Sequence, residues 1–157
     1  MAKFTLNLLL ALMWLFLTGE FGIVTLIEGV VIGFGIIFLM EGVLGRSDYS
    51  KKAYRVLKLV IFFLWELLVS NFKVAAELLT SRFLSSPAIV AVPLSVKTDL
   101  QITLLANLIT LTPGTLSIDV SEDKKFLFVH LMYGANPDKA IADIKSGFEK
   151  KILEVFE

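Results

Sequence analysis

The sequence predicts an α-helical integral membrane hairpin followed by a small cytoplasmic α+β domain, and three observations carry that reading. Hydrophobic residues make up 56% of the 157, above the ~45–50% usual for a soluble domain. The excess is uneven: residues 1–45 hold one basic residue, Lys3, and three acidic ones, Glu20, Glu28 and Glu41, whereas residues 83–157 hold seven basic and nine acidic. The apolar pattern also changes along the chain, from unbroken runs to helical spacing to strand alternation. Three parts follow: residues 1–45 as a transmembrane helical hairpin, 46–86 as a basic loop and an amphipathic membrane-associated helix that would otherwise be a third span, and 87–157 as the cytoplasmic domain.

Taking the elements in order, "FTLNLLLALMWLFLT" (Phe4–Thr18) has the look of a secretory signal behind Lys3. It ends in Gly19-Glu20 instead of a small-x-small cleavage site, and a second apolar run follows at once, so it reads as a retained helix. The second run, Phe21–Leu44, has 24 residues and at ~1.5 Å each is long enough for ~30 Å of hydrocarbon; the first is at the short limit. Gly19-Glu20 makes the turn, and Gly29, Gly33 and Gly35 offer close helix approach. Glu28 lies about two turns inside the second run, an intramembrane carboxylate near the head-groups or paired with a neighbouring subunit. Neither run contains Lys, Arg or His, so the chain alone cannot build a proton relay.

The loop "RSDYSKKAYRVLK" (Arg46–Lys58) holds five basic residues against one acidic and faces the cytoplasm by the positive-inside tendency. In the apolar segment that follows, Arg55–Leu79, a helical wheel at ~100° per residue gathers Arg55, Lys58, Glu66, Lys73 and Glu77 into one stripe. Such a stripe faces water at the membrane surface or turns toward another subunit within the bilayer. Charge topology favours the surface arrangement, which keeps the basic loop and the tail on one side.

Ser85-Ser86-Pro87 breaks the helix. Ala88–Val96 reads as a strand that Pro93 confines to an edge or a bend. "TDLQ" (Thr98–Gln101) is a capping-box pattern; the helix it opens, Asp99–Leu111, has 13 residues and at ~20 Å is too short to span. That helix is a core layer or a docking face. Pro113-Gly114 then turns the chain into "TLSIDVS" (Thr115–Ser121), with Leu116, Ile118 and Val120 alternating on one face. Lys125–Tyr133 is apolar on both faces, as a central strand would be. Asn136 caps a last helix behind Pro137, with Ile141, Ile144, Phe148, Ile152 and Val155 at helical spacing. The order strand-helix-strand-strand-helix is that of a small split-βαβ sheet with helices on one face.

Catalytic chemistry is not legible. Zero net charge without a basic, aromatic-interleaved surface argues against nucleic acid. The lack of cysteine excludes disulfides, thiol catalysis and thiolate metal sites. Gly29, Gly33 and Gly35 follow no strand and make no phosphate loop. His130 sits alone mid-strand; Ser117, Asp119 and His130 lack the elbow of a hydrolase triad; Asp119, Glu122 and Asp123 lack calcium-loop spacing.

"LLANLITLTPGTLSIDVSEDKKFLFVH" (Leu104–His130) resembles the signature of the E subunit of Mrp-type (multiple resistance and pH) cation/proton antiporters. "WELLVSNFKVAAELL", "NPDKAIADIKSGFEKKI" and the short apolar start with Trp14 extend the likeness over nearly the whole chain, with Glu28 as a departure. The resemblance implies an accessory, non-catalytic subunit needed for assembly or stability, in the cytoplasmic membrane of a prokaryote. It implies other hydrophobic Mrp-type subunits and the lipid bilayer as partners, and no cofactor. The host is a stand-alone Na+/H+ antiporter or an Mrp-like module of a membrane-bound hydrogenase or ferredoxin-linked respiratory complex. Within the signature, Thr112, Pro113, Gly114 and Thr115, with Asn107 upstream, are the structural or docking candidates. Two other readings compete: an anchored enzyme using His130 or Asp119, and a free-standing oligomeric cation channel lined by Glu28.

Overall fold

A computed structural model describes residues 2–40, 49–80 and 85–156 and divides the chain into two compact units, Met1–Tyr54 and Arg55–Glu157. In the first, α1 (Ala2–Thr18) and α2 (Ile23–Leu39) pack antiparallel. Their buried residues recur every fourth position: Asn7, Ala11 and Leu15 on α1 meet Thr25, Gly29, Gly33 and Ile37 on α2. A Cβ at Gly29 would lie 2.9 Å from the Ala11 backbone, and one at Gly33 would collide with the Asn7 amide oxygen. Two glycines therefore set the helix separation, as small residues do where backbones approach closely. Gly19, at φ +72°, reverses the chain between the helices, a conformation that favours glycine. The Asn7 amide donates to the Tyr49 hydroxyl at 2.9 Å, and the Phe34 ring lies 5.8 Å from that of Tyr49.

The sequence expectation of a 24-residue second run is shortened: α2 ends at Leu39, where the Met40 N–H still bonds the Ile36 carbonyl at 2.9 Å. The rest of that run, residues 41–44, lies outside the described residues. The basic segment is likewise not a loop to Lys58. From Tyr49 it is the start of α3 (Tyr49–Thr80), the one helix among the described residues long and apolar enough to cross a membrane by length and composition.

The second unit adds β1 (Ala88–Pro93), α4 (Asp99–Leu111), β2 (Thr115–Val120) and β3 (Phe126–Leu131), then α5 (Pro137–Ile144), a π-helical stretch at Lys145–Glu149, and α6 (Lys150–Phe156). The sheet is antiparallel in the order β1-β3-β2, with Pro93 on an edge strand and β3 central. α4 is a core layer: Ile102, Leu105, Leu108 and Ile109 are buried against Val90, Val92, Leu127, Val129 and Ile152. Both helix starts form as the sequence predicts. Thr98 and Gln101 complete a capping box, and the Asn136 side chain accepts from the Lys139 N–H.

Three local expectations are corrected. A bulge between Ser117 and Asp119 breaks the alternation of β2, so Leu116 and Ile118 are exposed while Val120 is partly buried against the core; the extra residue shifts the side-chain parity. The central strand β3 buries only one face, leaving Phe126 and Phe128 exposed. The last helix is interrupted by the π turn, which brings the adjacent Phe148 and Glu149 inward together. Glu149 is 1% exposed; its carboxylate accepts from the Ser95 and Val96 N–H groups and from Lys145 Nζ, which also donates to the Pro93 carbonyl at 2.7 Å. One buried carboxylate thus ties the exit of β1 to the π turn.

Replacing Glu149 with Leu strands two backbone donors and the lysine, a loss of about 3–5 kcal/mol by analogy with broken buried pairs. The variant should unfold at least about 10 °C below the parent in a detergent thermal melt, given ~4–8 °C per kcal/mol in a unit this small.

Candidate functional site

The polar stripe of α3, expected from the sequence to meet water or another subunit, turns onto the chain's own domain. Leu59 is buried in the core, and the rings of Phe62 and Phe63 lie 5.2 and 6.5 Å from Phe148. Around them, Lys58 pairs with Glu154 at 3.7 Å and Lys151 sits 4.3 Å over the Phe62 ring. Near the end of the helix, the buried Glu77 carboxylate accepts from the Tyr133 hydroxyl and from the Ser85 N–H. The opposite side of α3 is an apolar surface open to its surroundings: Leu57, Val60, Ile61, Leu64, Leu68 and Phe72 are each at least 45% exposed.

Between α3 and the sheet domain runs a groove of about 580 Å³. Glu66 and Lys73 of the stripe line one wall; Thr112–Thr115, Tyr133 and the π turn line the other. Arg55 lies half-buried at the start of the stripe. The structure therefore gathers two of the five stripe residues, Glu66 and Lys73, and the whole Thr-Pro-Gly-Thr turn around one feature. Asn107 is elsewhere, on the exposed side of α4, and Glu28 is exposed on α2 in the other unit.

The turn is built by its threonines. The last helical carbonyls of α4 lack intrahelical donors; the Thr112 hydroxyl donates to the Leu108 carbonyl at 2.9 Å and the Thr115 hydroxyl to that of Ile109. Gly114, at φ +89°, then carries its carbonyl to the Met132 N–H at 2.8 Å, welding the turn to the end of β3. Next to it, Tyr133 has its phenol pKa raised, chiefly by the hydrogen bond to Glu77.

The imagined triad is not assembled. Ser117 points to the helix side and donates to the Ala106 carbonyl at 3.0 Å, whereas Asp119 and His130 register with Phe128 and Leu116 on the other sheet face. Asp123 folds into a hairpin-turn network in which the Ser121 hydroxyl, then Lys125, lowers its pKa. Among the described residues no three His, Asp or Glu side chains converge as metal ligands would.

The family described as Na+/H+ ion antiporter subunit matches residues 7–155, through both units. The chain belongs to that family. It is 39% identical over 150 residues to the E subunit of the Na+/H+ antiporter of Alkalihalophilus pseudofirmus, covering 96% of this chain and 95% of the relative. It is 37% identical to the E1 subunit of the Na+/H+ antiporter of Staphylococcus haemolyticus, covering 97% and 96%. Among solved structures, a chain of the membrane-bound sulfane sulfur reductase, an archaeal respiratory membrane complex, superposes with a TM-score of 0.62 at 25% identity over 98% of both chains. A chain of the Mrp complex of Dietzia sp. matches with a TM-score of 0.50 at 28% identity, covering 66% of this chain and 96% of that one. These comparisons bear out the resemblance drawn from Leu104–His130, and the relatives are components of membrane complexes.

For this member of the antiporter-subunit family, sequence reasoning missed Tyr133 and Glu149, both ordinary polar residues in their local patterns. The one available signal for Glu149 was its place at helical spacing from Lys145 on an otherwise apolar face.

Gly114→Val forces a β-branched residue into the left-handed region beside the Tyr133 ring and should cost about 1–3 kcal/mol, read as a lower melting temperature of the chain. Tyr133→Phe tests the second contact by its pH dependence. A phenol pKa raised above its usual 10.0 in the folded state stabilises below that pH and ceases to do so as pH climbs through the raised value. The parent should lose this contribution at alkaline pH, and the Phe variant should lack that component of its melting-temperature profile.

Proposed function

We propose that this chain is the E subunit of a Na+/H+ antiporter of the Mrp type, or of an Mrp-like module in a respiratory complex, and that it serves assembly rather than ion translocation. On this reading α1 and α2 cross a prokaryotic cytoplasmic membrane, α3 lies along its inner surface, and the domain from Ala88 onward faces the cytoplasm. The reading keeps the division expected from the sequence: a hairpin over residues 1–45, a basic loop and membrane-associated helix over 46–86, and the domain over 87–157.

One observation carries the placement of α3. Its inner flank meets the chain's own domain at Lys58 and at Glu77, with the groove between, while the outer flank is apolar from Val56 to Leu79. A spanning α3 would draw the Lys58–Glu154 pair and Lys151 into hydrocarbon, where charges are costly. Lying flat, the helix gives its apolar side to the acyl boundary and keeps the charged domain in water. The match to both an Mrp complex and an archaeal respiratory complex supports a module used in more than one kind of host.

The chain has two tryptophans, so Trp14→Phe leaves Trp65, which is 64% exposed on α3, as the sole tryptophan. In vesicles, lipids brominated near the head-group should quench Trp65 more strongly than lipids brominated near the chain ends; the reverse order would establish a third span. In the same preparation, Lys139→Cys in this cysteine-free chain should react with an impermeant maleimide in inside-out vesicles and not in intact cells.

A further inference from the structure

The hairpin uses two of its glycines and leaves a third open. Gly29 and Gly33 face α1, but among the described residues a Cβ at Gly35 would meet nothing within 4 Å, and its φ lies outside the left-handed region. Gly35 follows Glu28 by seven residues, two turns of α2, so the two share one side of the helix. Val24 and Val31, 66% and 63% exposed, lie on the same outward strip. Glu28 is itself exposed, and among the described residues no side chain pairs with its carboxylate.

We propose that this strip of α2 packs against a membrane helix of another subunit that carries a lysine or arginine opposite Glu28. The inference rests on the reading of α1–α2 as the membrane-spanning part of a multi-subunit complex. An ionised carboxylate facing acyl chains about five residues, or ~7.5 Å, beyond the helix start calls for an opposite charge. Gly35 provides the flat surface that lets a neighbouring backbone close in around that pair. The charge also selects the occupant. A second copy of this chain docked on the same strip across a twofold axis would bring two Glu28 carboxylates together, which repel. A helix with a basic side chain satisfies both features.

The test uses the full, tagged chain expressed with the other subunits of its own complex, reading the chain's level in the membrane and the subunits that co-purify. Gly35→Leu fills open space within this chain, so its membrane level should match the parent, while subunit recovery should fall by about fivefold or more. Gly33→Leu, which collides with Asn7, should lower both. Glu28→Gln should reduce recovery and Glu28→Lys reduce it further. A photo-crosslinking residue at Val31 should join an apolar helix containing a Lys or Arg, and changing that residue to Glu should restore assembly of Glu28→Lys. Normal recovery with Gly35→Leu and Glu28→Lys, or a crosslink to lipid alone, would overturn this inference and leave the subunit reading intact. A parent chain that brings down no other subunit would overturn both.

Discussion

α3 must serve two surroundings at once, and the rest of the second unit depends on how it does so. Its polar stripe and three apolar residues, Leu59, Phe62 and Phe63, close over the α5–α6 side of the sheet domain. Without that cover, Phe148 and Ile144 would line an open face, and a domain of about 70 residues has little core to spare. The charges sit inward because the domain offers them partners, Glu154 for Lys58 and Tyr133 for Glu77. The apolar flank is left outward because no other described element of the unit covers it. Isolated in water, this arrangement would expose a broad greasy surface; beside lipid it is self-consistent.

The domain below α3 is held at its two weak points by polar groups that answer backbone needs. At the end of α4, threonine hydroxyls take up carbonyls the helix cannot satisfy, and Gly114 permits the reversal. At the exit of β1, Pro93 ends the ladder, and Glu149 receives the next free N–H groups from the π turn. Each is a buried polar set with its partners present, the condition under which such groups stabilise a fold instead of weakening it. The signature around Thr112–Thr115 reads, in these terms, as turn chemistry.

Much of this was legible in the sequence where the cause is local. The capping box at Thr98, the Asn136-Pro137 start and the Pro113-Gly114 turn are set by residues within four positions of one another, and all three form. The stripe on α3 was legible as a direction but not as a contact, since a helical wheel says which residues share a side and not what that side meets. The β2 bulge escaped because alternation carries no mark of an inserted residue. The π turn escaped for a related reason: Ile144, Phe148, Ile152 and Val155 keep acceptable helical spacing whether or not one turn is widened. Glu28 stood out at once, but its outward position and its alignment with the unused Gly35 required the packing of α1 on α2 to be known.

If the hairpin crosses the membrane as proposed, its shortness has a consequence of its own. α1 and α2 have 17 residues each, which at ~1.5 Å per residue reach roughly 26 Å, several ångströms less than a ~30 Å hydrocarbon layer. A bilayer meets such a pair by thinning around it, at an elastic cost of fractions of a kcal/mol per ångström. That strain shrinks wherever the surrounding membrane is already compressed, as it is beside other short-spanned helices. Elastic mismatch would then gather this hairpin toward such neighbours before any side chain touches another, a lateral force that acts through the lipid alone.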